Sequence, residues 1–294
     1  MTRPELFVGI TSWNSELFLP HCLEALQATT AGIDTHICVL DNGSSDRSEA
    51  IARERGAEVV VCRCSQPDAL NGLLSLSRSP YTLLIHADVI LLAAHWFPLC
   101  RSRLTDGVAL VSPQDIGCGP LTRPFGAGKP ESSFLLMHTE RFRRCRRLHW
   151  RRRGRWPRPR LEVDFHGPHI THHLPDELRR RRLDWVPMEV YVSNRASDPL
   201  FTPSSPPAVW SDELSYLRYG LGNFYGLDGT ITHYHNWYDR IAAREKTETA
   251  PNPARKDFPV EFIRSYTHRL LEDYRAGRLE LPTDLSTTRT PRAL

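Results

Sequence analysis

The feature that most constrains this chain is a regular exchange, over residues 6–92, of short apolar runs for amphipathic segments. LFVGITSW (6–13) is a brief apolar run ending in a polar cluster, the pattern of a strand buried on both faces. Leucines at 17, 19, 23 and 26 then predict an amphipathic helix from Leu17 to Ala28. THICVLDNGSSD (35–46) predicts a second strand that breaks at Asp41-Asn42-Gly43, with a helix from Ser44 to Arg55 capped by Ser or Asp. AEVVVCR (57–63) reads as a third strand, Asp68 to Leu76 as a helix, and YTLLIHADVILL (81–92) as a fourth strand with an acidic end. This order predicts a parallel sheet with right-handed crossovers. Open α/β sheets bind ligands at the carboxyl ends of their strands. The polar residues collect at those ends, from Thr11 to Asn14, Asp41 to Asp46 and His86 to Asp88.

Beyond residue 92 the pattern is looser. Strands are expected over 107–113, 131–138 (with a helix starting at Thr139), 161–164, 183–193 and 229–236. Helices are expected over 175–182, 212–219 and 258–277. The proline-rich PLFTPSSPPAVW (199–210) marks a linker or loop. The chain therefore divides into a main domain over 1–198, a strand and helix extension over 199–280 that completes the site, and a polar, disordered tail over 281–294.

A length of 294 residues, 40% of them hydrophobic, suffices for one large α/β domain with an extension. No run of about 18 apolar residues is present, which excludes a transmembrane helix, and MTRPELFVGITSW lacks the basic-then-apolar order of a signal peptide. A cytoplasmic protein is expected. Seven cysteines, at 22, 38, 62, 64, 100, 118 and 145, include no Cys-x-x-Cys pair and read mostly as buried thiols. Positive charge is concentrated in RFRRCRRLHWRRRGRWPRPR (141–160) and in the four arginines 179–182. That run is either a solvated surface loop or a contact for an anionic membrane surface at the inner face, or for another polyanion.

Two segments carry chemistry. In VLDNGSSD (39–46), a carboxylate at a strand end is placed to accept hydrogen bonds from a base or ribose, and the glycine and serines turn the chain onto a helix N-terminus. In HADV (86–89), Asp88 offers oxygen to a hard divalent cation beside a pyrophosphate. Either segment alone is also an ordinary strand-turn-helix cap. Together they resemble the family-2 inverting glycosyltransferases over roughly residues 5–140.

That resemblance implies a GT-A-type α/β fold: a mostly parallel, Rossmann-like sheet flanked by helices, with a C-terminal helical extension. It implies a hexosyl- or deoxyhexosyltransferase that uses a nucleotide-sugar donor with Mn²⁺ or Mg²⁺. TSWN (11–14), through Thr11, Trp13 and Asn14, would line the nucleotide; Asp41 would contact the base; Asn71, in DALNGLL, matches the asparagine before the metal strand. HADV stands where the family carries a DxD motif, so Asp88 carries over and His86 replaces the first acid. Asp164, in LEVDFHG, is the nearest match to the general base, with Glu131 as the second candidate. In HYHNWYDR (233–240), His233 and His235 are candidates for the cation or diphosphate, and Arg240 for phosphate. The histidines of HGPHITHHL (166–174) suit an acceptor cleft better than zinc, since prolines 168 and 175 bracket them and no glutamate of the metalloprotease pattern is present.

The acceptor, whether a saccharide, a lipid-linked carrier or a natural product, is not readable from these residues. Two further readings stay open: a catalytically degenerate sugar-nucleotide-binding protein, or a nucleotidyltransferase of related fold. The arginine run, with Trp150 and Trp156 interleaved, also leaves nucleic-acid binding open.

Overall fold

The computed structural model describes residues 3–113, 130–145, 171, 174–192, 222–236, 269, 272–273 and 276–278. The first four strands and three helices alternate as the sequence predicts: β1 (Leu6–Ser12), α1 (Leu19–Thr29), β2 (Thr35–Asp41), α2 (Ser48–Glu54), β3 (Glu58–Val61), α3 (Gln66–Leu76) and β4 (Tyr81–His86). These strands pair in parallel in the order β3-β2-β1-β4. Their alternating side chains separate two cores. Leu6, Val8 and Ile10 of β1, with Leu83 and Ile85 of β4, pack on the α1 face, while Phe7 and Leu84 face α3.

Two helix starts differ from the sequence reading. α2 begins at Ser48 rather than Ser44, because Ser44 and Ser45 are engaged in the preceding turn and Asp46 Oδ1 accepts from the Ser48 N–H at 2.9 Å. α3 begins at Gln66 rather than Asp68, because Ser65 caps it and Pro67 sits in its first turn.

The apolar run 81–92 is not one strand. β4 ends at His86, Ala87 and Asp88 form a turn, and β5 (Val89–Leu91) starts afresh. An apolar run carries no mark of where a strand changes its hydrogen-bonding partner, which is why the break is invisible in the sequence. The chain continues through α4 (Trp96–Ser102), β6 (Val108–Pro113), β7 (Phe134–His138), α5 (Thr139–Arg143), α6 (Leu174–Arg180), β8 (Asp184–Val192), β9 (Gly222–Leu227) and β10 (Thr230–Asn236). α4 and β9 have no counterpart among the expected elements. The ten strands among the described residues form one sheet in the order β3-β2-β1-β4-β7-β6-β8-β9-β10-β5. Beyond β4 it is mixed: β4-β7, β6-β7, β8-β9, β9-β10 and β10-β5 are antiparallel, and β6-β8 is parallel. The expected strand at 161–164 and helix at 212–219 lie outside the described residues. Of the expected helix at 258–277, residues 269, 272 and 273 are helical.

The beginning of the arginine run is structural. Arg141 donates to the carbonyls of Leu104 and Val108, at 2.8 and 3.0 Å, and Arg143 to those of Leu74 and Ser77, at 2.9 and 2.6 Å. Both guanidiniums thus serve carbonyls at helix ends and in the segments that follow them. They lie at the end of the sheet where β4 begins, since Tyr81 is opposite His138, the residue before α5. Among the described residues no helix is long and apolar enough to cross a membrane.

Two predictions follow from this packing. A Cβ on Gly9 would lie 2.8 Å from Leu84 Cδ2 and 2.9 Å from Leu73 Cβ. Gly9→Ala should therefore destabilise the fold by about 1–3 kcal/mol in urea denaturation, as overpacking does. Cys22, Cys38, Cys100 and Cys145 are buried, whereas Cys62 is exposed. Burial pushes the Cys38 and Cys145 thiols up to about 11 and Cys100 up to about 12. Alkylation of the native protein at pH 8, read by peptide mass spectrometry, should modify Cys62 well before these four.

Candidate active site

The carboxyl ends of β1, β2 and β4 converge on one open cavity. Thr11, Ser12, Trp13 and Ser15 form the β1 side, Leu40 and Asn42 the β2 side, Gln66 and Ala69 of α3 a third wall, and His86, Ala87 and Asp88 the floor. Parallel pairing sets Ser12 opposite Asp41 and Thr11 opposite both Leu40 and His86, so the strands end level. The Thr11 and Ser12 hydroxyls are buried and make no hydrogen bond among the described residues.

The turn between β1 and α1 is braced against the turn after β2. Asn14 adopts the left-handed conformation (φ 49°), and its Oδ1 accepts from the Ser45 N–H at 2.8 Å. Its own N–H donates to Ser44 Oγ at 2.8 Å. Asp41 belongs to this brace and not to the cavity wall: Oδ1 accepts from the Ser44 N–H at 2.7 Å and Oδ2 from the Ser44 hydroxyl at 2.6 Å. Asp41, expected at the nucleoside crevice, is buried and is not among the residues that line this cavity, and each of its carboxylate oxygens accepts from Ser44. Asn42, one residue on, faces the cavity instead. Asn71 is also absent from the wall; Gln66 and Ala69 present the α3 face that lines it, and Asn71 falls on another side of that helix.

At the floor, His86, Asp88 and His235 bring three ligand atoms within 4.8 Å of one another. Asp88 Oδ1 is 4.0 Å from His86 Nδ1 and 3.5 Å from His235 Nε2. All three side chains are at least nine-tenths buried. β10 delivers His235 through antiparallel pairing with β5, which sets His235 opposite Val89, and the Asn236 N–H donates to the Asp88 carbonyl at 3.1 Å. One carboxylate and two imidazoles around one point form a donor set that fits a divalent cation.

His233, expected on the same strand face, is not in this cluster. Its ring lies parallel to Phe134 at 4.4 Å and near Tyr225 at 5.1 Å, and its Nδ1 meets Thr232 Oγ1 at 3.0 Å. Burial, reinforced by His235, holds its pKa well below the usual histidine value, so it is a neutral packing residue beneath the cluster.

Glu131 does reach the site, although it stands before β7. Its Oε1 is 3.6 Å from His235 Nδ1, and its Oε2 accepts from the Tyr225 hydroxyl at 2.7 Å. Gln66 completes the surroundings, its side-chain amide 2.7 Å from His86 Nε2. Neither Gln66 nor Tyr225 is visible as a site residue in the sequence: one precedes the helix start expected at Asp68, and the other lies on the unexpected β9. Asp164 and Arg240 lie outside the described residues.

A strand-one turn, a strand-two turn and His86-Ala87-Asp88 thus border one cavity. The sequence profile of glycosyl transferase family 2 matches residues 7–161, more than half of the chain. The chain belongs to glycosyl transferase family 2. Its described residues fit the GT-A fold of that family. No curated protein matches this family member. Among solved structures it is similar to glucosyl-3-phosphoglycerate synthase from Mycobacterium tuberculosis in complex with phosphoglyceric acid, at 21% identity and a TM-score of 0.40, over 47% of this chain and 58% of the synthase. The same synthase in complex with Mn²⁺, uridine diphosphate and glucosyl-3-phosphoglycerate gives 21% identity and a TM-score of 0.39, over 47% and 58% of the two chains. A further mycobacterial protein matches at 20% identity with a TM-score of 0.39, over 48% of this chain and 55% of that one. The match thus spans less than two thirds of each of these chains.

The brace between the two turns is testable. Asn14→Ala loses the acceptor for Ser45 and places a Cβ residue without a local partner at positive φ. It should destabilise the fold by about 2 kcal/mol. Asn14→Gly, which relieves the backbone but not the lost hydrogen bond, should recover part of that in the same denaturation assay.

Proposed function

We propose that this family-2 member transfers a sugar from a nucleoside-diphosphate donor to an acceptor hydroxyl, with inversion at the anomeric carbon and with the aid of a divalent cation, Mn²⁺ or Mg²⁺. The observation that carries the reading is a cavity at the carboxyl ends of β1, β2 and β4 that Thr11, Ser12, His86 and Asp88 line, with His235 within ligand distance of the last two. The cavity measures about 230 Å³. That is below the roughly 300–1,000 Å³ of a complete ligand cleft, so it suits the nucleotide end of the donor.

In this reading Trp13 and Asn42 flank the base or ribose, and Thr11 and Ser12 hydrogen-bond the nucleotide. A cation bound at His86, Asp88 and His235 supplies neutralisation of the charge that builds on the departing diphosphate. Arg240 adds a phosphate contact. The acceptor oxygen forms its bond to the anomeric carbon while the bond from that carbon to the diphosphate oxygen breaks. The acceptor proton passes to a carboxylate on the opposite face, a role we assign to Asp164. The acceptor is a saccharide, a lipid-linked carrier or a natural product. A cytoplasmic location is proposed, with Arg144 and the arginines beyond it as the peripheral contact to an anionic surface, since Arg141 and Arg143 are already engaged by backbone carbonyls.

A thermal-shift screen of nucleoside diphosphates and sugar nucleotides, each with and without Mn²⁺ or Mg²⁺, tests the donor class. A ligand at about one hundred times its Kd should raise stability by about 2.7 kcal/mol. Asp88→Asn should abolish the cation-dependent part of that shift and lower sugar transfer by at least about a hundred-fold. Binding with no turnover of any donor in the parent protein would instead assign a degenerate sugar-nucleotide-binding protein, the reading that His86 in place of an acid favours.

A further inference from the structure

We infer that Cys62 and Cys64 are a modification site, a dithiol that closes to an internal disulfide by exchange with a small-molecule disulfide, and that closure loosens the nucleotide end of the cavity. The first part stands on the thiols alone; the second rests on the nucleotide-donor reading proposed above.

The thiols meet where β3 hands over to α3. β3 stands at one end of the strand order and stops at Val61; residues 62–65 then cross to α3, which Ser65 caps. Among the described residues Cys22, Cys38, Cys100 and Cys145 are buried, Cys64 is partly buried at the margin of the α3-face core, and Cys62 is exposed. Unpaired cysteine behaves as a small hydrophobe and is among the most buried residue types. An exposed thiol with a second one two residues on is therefore the exception in this chain. The Cys64 thiol hydrogen-bonds to that of Cys62. Burial, with the Cys62 thiol beside it, pushes Cys64 up to about 11, so Cys64 keeps its proton while Cys62 meets reagents from solution. Two thiolates are too few for a structural zinc site, which takes about four ligands. A hydrogen-bonded pair suits disulfide exchange instead.

The exchange balances with one co-reactant, a low-molecular-weight disulfide such as glutathione disulfide. The Cys62 sulfur attacks one sulfur of that reagent and displaces a glutathione thiolate. The Cys64 sulfur then attacks Cys62 Sγ in the mixed disulfide and displaces the second. A bond forms between the Cys62 and Cys64 sulfurs, the bond between the glutathione sulfurs breaks, and the electron pair and both thiol protons end on two molecules of glutathione. In the reducing cytoplasm proposed above, such a bond is transient and redox-sensing rather than structural.

The main chain between the thiols is tied to the cavity. The Cys62 N–H donates to the Asp41 carbonyl at 2.9 Å, which carries the pairing with β2 one step past β3. The Cys64 N–H donates to Asn42 Oδ1 at 2.7 Å and so orients a side chain that lines the cavity. Between them Arg63 lies over the same turn, since a Cβ on Gly43 would stand 2.6 Å from Arg63 Cγ. Just beyond, Ser65 caps α3 and Gln66, its first residue, lines the cavity. Along an extended chain, Cα atoms two residues apart are about 6.4–6.8 Å from each other. That is the outer edge of the roughly 4.4–6.8 Å that a disulfide spans. Closing the ring therefore bends the main chain at Arg63 and turns the Cys64 N–H away from Asn42, which loses its anchor.

The test treats the reduced full chain with glutathione disulfide, blocks remaining thiols with iodoacetamide and reads the peptide over 59–68 by mass spectrometry after cleavage at acidic residues. That peptide should lose two hydrogens, escape alkylation at both cysteines and regain both thiols with dithiothreitol. A lasting glutathione adduct at Cys62, or a Cys62 bond between two chains, in place of the internal bond overturns the site. Coupling is read in two ways on the reduced and oxidised protein. Amide exchange needs no ligand: the Cys64 N–H should exchange faster once oxidised, and unchanged protection refutes the bend. Calorimetry with UDP, GDP and ADP should show the nucleotide that binds weakened by about three- to ten-fold on oxidation, the scale of one lost hydrogen bond. Cys62→Ser should bind it equally under both conditions. An internal disulfide that leaves this affinity unmoved overturns the coupling. If the reduced protein binds none of the three, the donor reading fails, while the mass and exchange measurements still decide the thiol pair.

Discussion

The site depends on one exchange of hydrogen-bonding partners. At His86 the chain leaves its parallel pairing with β1, and three residues later it is in antiparallel pairing with β10. The turn between the two carries Asp88. Because β5 has β10 for its neighbour, a strand from far along the sequence is held against the end of β4, and His235 falls opposite Val89. The backbone bonds that enforce this are buried, and buried amide and carbonyl groups are rarely left unmade. Slipping β10 by one residue would turn every side chain to the other face and carry His235 away from Asp88. The geometry of three side chains is therefore set by main-chain pairing, which is stiffer than any of the side chains.

The nucleotide side of the cavity is determined by a second constraint, the closeness of α3 to β1. Gly9 has no side chain, and Leu73 and Leu84 occupy the space a Cβ would need. That close contact fixes the height of α3 over the sheet, and with it the position of Gln66 at its N-terminal turn, against His86. Packing in the middle of the domain and hydrogen bonding at the floor are thus coupled through one rigid helix. On the other side, Asn14 ties the turn after β1 to the turn after β2, so the two loops that border the cavity are held together.

The charge of the chain is arranged around this scaffold and not within it. The arginines that open the basic run are spent on carbonyl groups at the end of the sheet where β4 starts, the end opposite the cavity. Arg179 and Arg180 pair with Asp176 and Glu177 on the exposed side of α6, contacts worth little in water. The groups with chemical potential lie instead in a small volume where burial amplifies each interaction.

The sequence by itself determined the alternating strands and helices of the first ninety residues, because buried strands and amphipathic helices leave distinct periodicities. It also placed the polar residues at the strand ends, and marked Thr11, Trp13, His86 and Asp88 as lining and His235 as a candidate ligand. It could not say that Asp41 turns inward to Ser44 while Asn42 faces the cavity, since neighbouring residues in a turn share composition but not direction. Nor could it separate His233 from His235, two identical residues on one strand face whose roles diverge only because Phe134 and Tyr225 enclose one of them. The break inside YTLLIHADVILL, the strand β9 that brings Tyr225, and the approach of Glu131 to His235 belonged to the tertiary structure alone. Local periodicity reports how each segment is solvated, whereas these features depend on which distant strand becomes its neighbour.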